Sequence, residues 1–222
     1  MAVFIIYGDP FLVSEDLAEL RMRVGPTELL ESNSHHFALD GTEMDEVLSV
    51  CNTLPFLAQY RLVVLEGFLG SFEQRNRRRG RVNRAGVGRT SKWEALPNYV
   101  QDLPDTTLLA FIDGPLAKSN QMLLRLKDKA DVKECFIPRG DGLYRWIRAR
   151  LDMKGVSISV GALRLLRQYV GVNLQVLDME LEKLSLYVSD GVISEKDVRD
   201  LVPQVRESNI FIAVDAILEG KS

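Results

Sequence analysis

The strongest constraint on this chain comes from segments that are apolar on both faces. AVFIIYG (2–8), RLVVLEG (61–67) and TTLLAFID (106–113) carry their apolar residues consecutively instead of at alternate positions. A half-exposed strand alternates, because successive side chains point to opposite faces; a continuous run suits a strand covered on both sides. Such strands need helices above and below, and helical patterns lie between them. SEDLAELRMRV, opened at Ser14, places Leu17, Leu20 and Val24 on one stripe. EMDEVLSVCNTLP (43–55) places Val47, Leu48 and Cys51 together, with Pro55 near its end because proline breaks a helix interior. LPNYVQDLP (96–104) and NQMLLRLKDKA (120–130) are two further helices, HHFALDG (35–41) a short strand, and DVKECFIP (131–138) another covered strand. The alternation predicts an α/β domain with a mostly parallel sheet over residues 1–140.

From Leu143 the pattern changes. LYRWIRARLDMKG, SVGALRLLRQYVG and NLQVLDMELEKLSLYVSDG read as successive helices without a strand, closed by Gly155, Gly171 and Gly191. Ser159 and Asn173 cap the second and third, and Ser194 with Asp197 three residues later opens a fourth. A small helical domain is therefore expected over 141–208. SNIFIAVDAILEGKS is still amphipathic where it stops, so 209–222 reads as the start of a further, truncated domain.

Net charge is −3, but residues 73–92 hold eight basic residues and one acidic one, leaving 20 basic and 30 acidic residues elsewhere. An acidic body with one basic strip argues against nucleic-acid binding over the whole surface. The strip reads as a solvated loop, or alternatively as a DNA-phosphate contact through Arg75, Arg77, Arg78, Arg79, Arg81, Arg84 and Arg89. No aromatic residues interleave the arginines, which weakens a base-stacking role, and Trp93 just beyond is the expected anchor where order resumes. Cys51 and Cys135 form no metal or redox motif and read as buried thiols of a reducing compartment. No apolar run reaches the roughly 18 residues of a membrane span.

Motifs for catalysis are missing. The terminal Gly220-Lys221-Ser222 follows DAILE, not the glycine-rich strand-to-helix turn that cradles phosphates. The topologically correct turn, YGDPFLVSED, has one glycine, no lysine and early acidic residues, so a triphosphate would meet negative charge. His35 and His36 are adjacent and so point apart. No metal ligand set, carboxylate pair or nucleophile motif is singled out.

TLPFLAQYRLVVLEG (53–67) leaves a question open: Phe56 and Leu57, just ahead of a buried strand, either close the core or are held out for a partner. Leu54 is the candidate for packing under the sheet.

Five stretches, YGDPFLVSE, TLPFLAQYRLVVLEG, LYRWIRARLDMKG, GVNLQVLDMELEKLSLY and NIFIAVDAILEGKS, in that order, resemble the delta subunit of bacterial DNA polymerase III, the clamp-opening member of the clamp loader. The resemblance spans residues 4–222. It implies an AAA+-like (P-loop NTPase-like) parallel-sheet domain without a functional phosphate loop, then a helical lid-like domain and a helical collar that assembles the loader. It implies binding and opening of the sliding clamp (beta subunit) for loading onto primed DNA, in the cytoplasm, with no cofactor and no metal. The other loader subunits and DNA are the further partners, and any DNA-directed DNA polymerase label comes from the holoenzyme. By the same resemblance Phe56 and Leu57 are the clamp-binding wedge, presented by Leu54 and Pro55. Leu181, Leu184 and Leu186, with Trp146 and Ile147, are read as packing residues. The Arg-rich insertion departs from the compact form of the family. The competing readings are an active ATPase of the same architecture and a DNA-binding module built on that insertion.

Overall fold

The computed structural model describes residues 2–38, 41–73, 93–188 and 191–203. Contacts divide the chain into two units, Met1–Phe136 and Ile137–Ser222.

The first unit is built on five parallel strands: β1 (Val3–Gly8), β2 (Ser34–Ala38), β3 (Arg61–Glu66), β4 (Thr107–Asp113) and β5 (Asp131–Cys135), in the spatial order β2-β3-β4-β1-β5. The expected α/β parallel-sheet architecture is what forms. In the three central strands the apolar run divides by pleat. Val3, Ile5, Val63, Leu65, Leu109 and Phe111 enter one core, and Phe4, Ile6, Leu62, Val64, Leu108, Ala110 and Ile112 the other. Burying each such side chain fully contributes about 1.5–3 kcal/mol, which is why consecutive apolar residues belong here. Helix α1 (Pro10–Val24) covers the second core with Val13, Leu17, Leu20 and Val24. A second short helix, α2 (Thr27–Asn33), leads into β2. The other core is closed by α3 (Met44–Cys51) through Val47 and Cys51, by α4 (Leu96–Tyr99) through Leu96, and by α5 (Gln121–Leu126) through Met122, Leu123 and Leu126.

Several sequence expectations are corrected. Helix α1 opens at Pro10 with Asp9 as its cap, not at Ser14, whose hydroxyl lies inside the helix and donates to the Phe11 carbonyl. Pro10 suits the first turn because its missing N–H would have no partner there. The α2 segment was not expected: it carries no side-chain cap bond, and its seven residues are too short to show an apolar stripe. Strand β5 is an edge strand with Asp131, Val132 and Lys133 exposed, so it is not covered on both faces.

The stretch after β3 is stapled from beneath. Buried Asp113, at the end of β4, accepts the Leu69 N–H at 3.1 Å and the Gly70 N–H at 2.9 Å, and buried Asn120 donates to the Leu69 carbonyl at 2.6 Å. Burial raises the Asp113 carboxyl to about 6, only partly offset by those two amides. The folded state therefore takes up this proton between about pH 6 and the ordinary value near 3.8, where the unfolded chain does not. Stability from this group rises as pH falls through that window. Relative to Asp113→Asn, the native chain should gain about 2–3 kcal/mol in urea denaturation between pH 7 and pH 4. A stability difference that stays constant with pH would overturn this.

The second unit carries α6 (Asp141–Asp152), α7 (Val160–Val170), α8 (Leu174–Val188) and α9 (Glu195–Leu201). Leu143, Ile147 and Leu151 of α6, Leu163, Leu166 and Val170 of α7, and Leu174, Leu177, Leu181 and Leu184 of α8 are buried at helical spacing. Ser159 and Asn173 cap as expected, and Ser194 with Asp197 forms a reciprocal capping box. Gly155, Gly171 and Gly191 all have positive φ. The expectation of helices without a strand fails. The short strands β6 (Ser157–Ile158) and β7 (Val192–Ile193) pair in parallel and bury Ile158 and Ile193. Ile147 is in the core and Trp146 half-buried, its ring 4.9 Å from the Arg150 guanidinium. Leu186 is 72% exposed and does not pack with Leu181 and Leu184. It follows Leu184 by two residues, which turns it onto the other side of the helix. Among the described residues no helix is long and apolar enough to cross a membrane.

Candidate functional site

Helix α3 ends at Cys51, and residues 52–60 form the loop that enters β3. Pro55 lies in that loop, beyond the helix. Leu54, Phe56 and Leu57 are 75%, 60% and 78% exposed. The open question of whether the pair closes the core is answered by these values: both side chains project outward, and so does Leu54, which is not under the sheet. The inward side of the loop is taken by Ala58 and Tyr60, which pack on the α1 core.

The loop that displays Leu54, Phe56 and Leu57 is tied down. Asn33, fully buried at the end of α2, accepts the Phe56 N–H at 2.6 Å and donates to the Phe56 carbonyl at 2.8 Å. Arg61, buried at the start of β3, donates from Nε to the Thr53 carbonyl at 3.0 Å and from Nη2 to the Leu54 carbonyl at 2.9 Å. Its Nη1 meets His35 Nε2. Burial and the adjacent Arg61 charge both lower the His35 pKa, which keeps the imidazole neutral and able to accept that hydrogen bond. Thr107 Oγ1 donates to the Cys51 carbonyl at 2.7 Å, closing the end of α3. Leu57 has φ 53, the one positive value at a non-glycine residue among the described residues. A leucine in this left-handed region costs about 1–3 kcal/mol, which persists only where surrounding bonds enforce it. The residues alone singled out the pair but left its direction open, the resemblance pointed to display, and Asn33, Arg61 and Thr107 were missed, because a buried polar residue has a meaning only once its backbone partners are known.

The turn between β1 and α1, where a nucleotide-binding α/β fold holds phosphate, is chemically occupied. Asp9 Oδ1 accepts the N–H groups of Phe11 at 3.1 Å and Leu12 at 3.3 Å, and Pro10 has none to offer. The amides that would receive an anion there already bind the chain's own carboxylate. His35 and His36 point apart, toward Arg61 and toward Glu66 at 2.8 Å. No three His, Cys, Asp or Glu residues converge as a metal site among the described residues. Cys51 and Cys135 are buried, free thiols, both raised to about 12, chiefly by burial. Arg75, Arg77, Arg78, Arg79, Arg81, Arg84 and Arg89, the Gly220-Lys221-Ser222 terminus and the expected collar opening at 209–222 lie outside the described residues.

Fold and site together define a parallel-sheet α/β protein that displays an apolar loop at the amino edge of its sheet. Residues 4–136 match the family described as "DNA polymerase III, delta subunit", and the chain belongs to that family, the clamp loader delta subunits. It is 24% identical over 230 residues to DNA polymerase III subunit delta of Bacillus subtilis, covering 99% of this chain and 62% of that protein. To the Escherichia coli protein of the same name it is 25% identical over 226 residues, covering 100% of this chain and 61% of the relative. The chain thus spans about three fifths of the length of the curated relatives it matches. The solved structure of the Bacillus subtilis DNA clamp loader delta protein superposes with a TM-score of 0.71 at 22% identity, over 99% of this chain and 63% of that one.

Proposed function

We propose that this chain binds a sliding clamp by inserting Phe56 and Leu57, flanked by Leu54 and Pro55, into an apolar pocket of the clamp, and that the contact opens the ring for loading onto primed DNA. The observation that carries this reading is the fixed outward display of three large apolar side chains within four residues, on a backbone gripped by Asn33 and Arg61. An apolar anchor that is already ordered loses little entropy on docking and can act as a binding hot spot. The role is non-hydrolytic: ATP is used by other loader subunits, which fits a β1–α1 turn sealed by Asp9. Those subunits and DNA are the remaining partners, in the cytoplasm.

Surface plasmon resonance on the cognate clamp tests the proposal, with wild type beside Phe56→Ala/Leu57→Ala and circular dichroism confirming the fold of both. The double variant should lose about 2–4 kcal/mol of binding free energy. Because both side chains are exposed, its melting temperature should barely move. Equal binding by a folded double variant would sink the proposal.

A further inference from the structure

We infer that Asn33 and Arg61 are positioning residues of the clamp-contact loop: they set its binding shape before any partner arrives. The inference rests on the reading of Phe56 and Leu57 given above. The Asn33 amide nitrogen donates to the Leu29 carbonyl and to the Phe56 carbonyl, both at 2.8 Å, while its oxygen accepts the Phe56 N–H. The bond to Leu29 is local, within α2. The two bonds to Phe56 reach across 23 residues, and ending a helix does not require them.

One side chain thus holds both backbone groups of Phe56 as a neighbouring strand would. Arg61 holds the two carbonyls just ahead of Pro55. The fixed groups therefore bracket the proline and leave Leu54, Phe56 and Leu57 projecting. Leu57 follows directly with its left-handed φ, a conformation that a free loop would abandon.

The chemistry is specific to these two residue types. Aspartate at 33 would set a carboxylate against two carbonyl oxygens, and alanine would leave both Phe56 groups without this partner. Lysine at 61 keeps the charge but not the planar fork that reaches two carbonyls and an imidazole together. A loop released from these bonds spreads over many conformers, and apparent affinity falls in proportion to the fraction still competent.

Three variants decide the matter: Asn33→Ala, Arg61→Lys and, as a control for general destabilisation, Leu166→Ala in the core of α7. Hydrogen exchange at the Phe56 amide reads the loop without any partner, and clamp affinity reads the consequence. In Asn33→Ala, Phe56 should exchange about tenfold faster or more while β3 amides stay protected, and clamp affinity should fall about tenfold. Arg61→Lys should lower affinity in the same direction. Leu166→Ala should lower the melting temperature and leave affinity unchanged. Fast exchange at Phe56 with wild-type affinity would overturn the inference while leaving the functional reading intact. An affinity loss in Leu166→Ala equal to that in Asn33→Ala would overturn it too. If Phe56→Ala/Leu57→Ala binds as wild type does, the functional reading has failed, and the inference with it.

Discussion

Gly8→Ala is expected to cost the first unit about 3–5 kcal/mol, one of the largest effects available to a single methyl group in this chain. Gly8 ends β1 with φ 130, and a Cβ built there would lie 2.2 Å from the Cys135 carbonyl oxygen and 2.9 Å from its carbon. Both obstacles are backbone, so no rotamer change relieves them. The same carbonyl accepts the Asp9 N–H at 2.8 Å, and Gly8 pairs with Cys135 in the sheet register. Making room for the methyl group pushes β5 from β1 and shifts Asp9, whose carboxylate caps α1. Gly67→Ala is the natural control, because its φ of 74 is also left-handed but nothing lies within 4 Å of an added Cβ. That variant should lose only about 1 kcal/mol, the conformational part alone. Urea denaturation of the two variants beside wild type measures the difference. Equal losses would mean that the contact with Cys135 relaxes freely.

The close approach at Gly8 also closes the turn between β1 and α1. In a nucleotide-binding sheet, the turn after the first strand stands open for phosphate. Here it is drawn tight against β5 and its helix amides are bonded to Asp9. The displayed apolar loop lies at the other end of the strands, where Arg61 and Thr107 pair at the starts of β3 and β4. Six residues of β3 separate the two edges by about 20 Å. The proposed contact surface thus uses the edge opposite the turn where a nucleotide-binding sheet holds phosphate.

How much of this the sequence made legible depends on the range of the interactions involved. The three central strands were readable because their signal is local: consecutive apolar residues admit few other placements. Helix caps at Ser159, Asn173 and Ser194 were readable for the same reason, since cap and amide lie within three residues. The true start of α1 was obscured because Ser14 ahead of two acidic residues imitates a cap, while Asp9-Pro10 is the pair that satisfies the end. Strands β6 and β7 escaped because two residues each show no periodicity, and they exist only through their pairing with one another. In the candidate site, Phe56 and Leu57 were visible as a pair whose direction the residues left open, Leu54 was expected under the sheet but projects with them, and the bonds that make all three project were not visible. Asn33 and Phe56 are 23 residues apart and nothing local links them. Leu186 failed for a simpler reason, a leucine assumed to be buried by its type although it is off the stripe of Leu177, Leu181 and Leu184.

Trp93→Ala should destabilise the first unit by about 3–5 kcal/mol, the usual loss for a large aromatic side chain removed from a core. Trp93 is 3% exposed and meets Phe68 edge to face, ring centroids 4.5 Å apart. Phe68 follows β3 and Trp93 precedes α4, so this contact joins the chain on either side of the Arg-rich stretch. Leu96, Val100 and Leu69 share the same core. Trp93→Phe keeps an aromatic ring in place and should lose less, about 1–2 kcal/mol. The chain's second tryptophan, Trp146, lies in the other unit, so the fluorescence lost in Trp93→Ala reports the first unit directly. The contact sits at the carboxyl end of β3, whereas Asn33 and Arg61 fix the apolar loop at its amino end. Under the proposed function, folded Trp93→Ala should therefore bind the clamp with wild-type affinity despite its lower stability, as a calorimetric titration below its melting temperature can measure. Affinity falling in step with stability would mean that the two ends of β3 are coupled, and that the loop is not positioned by Asn33 and Arg61 alone.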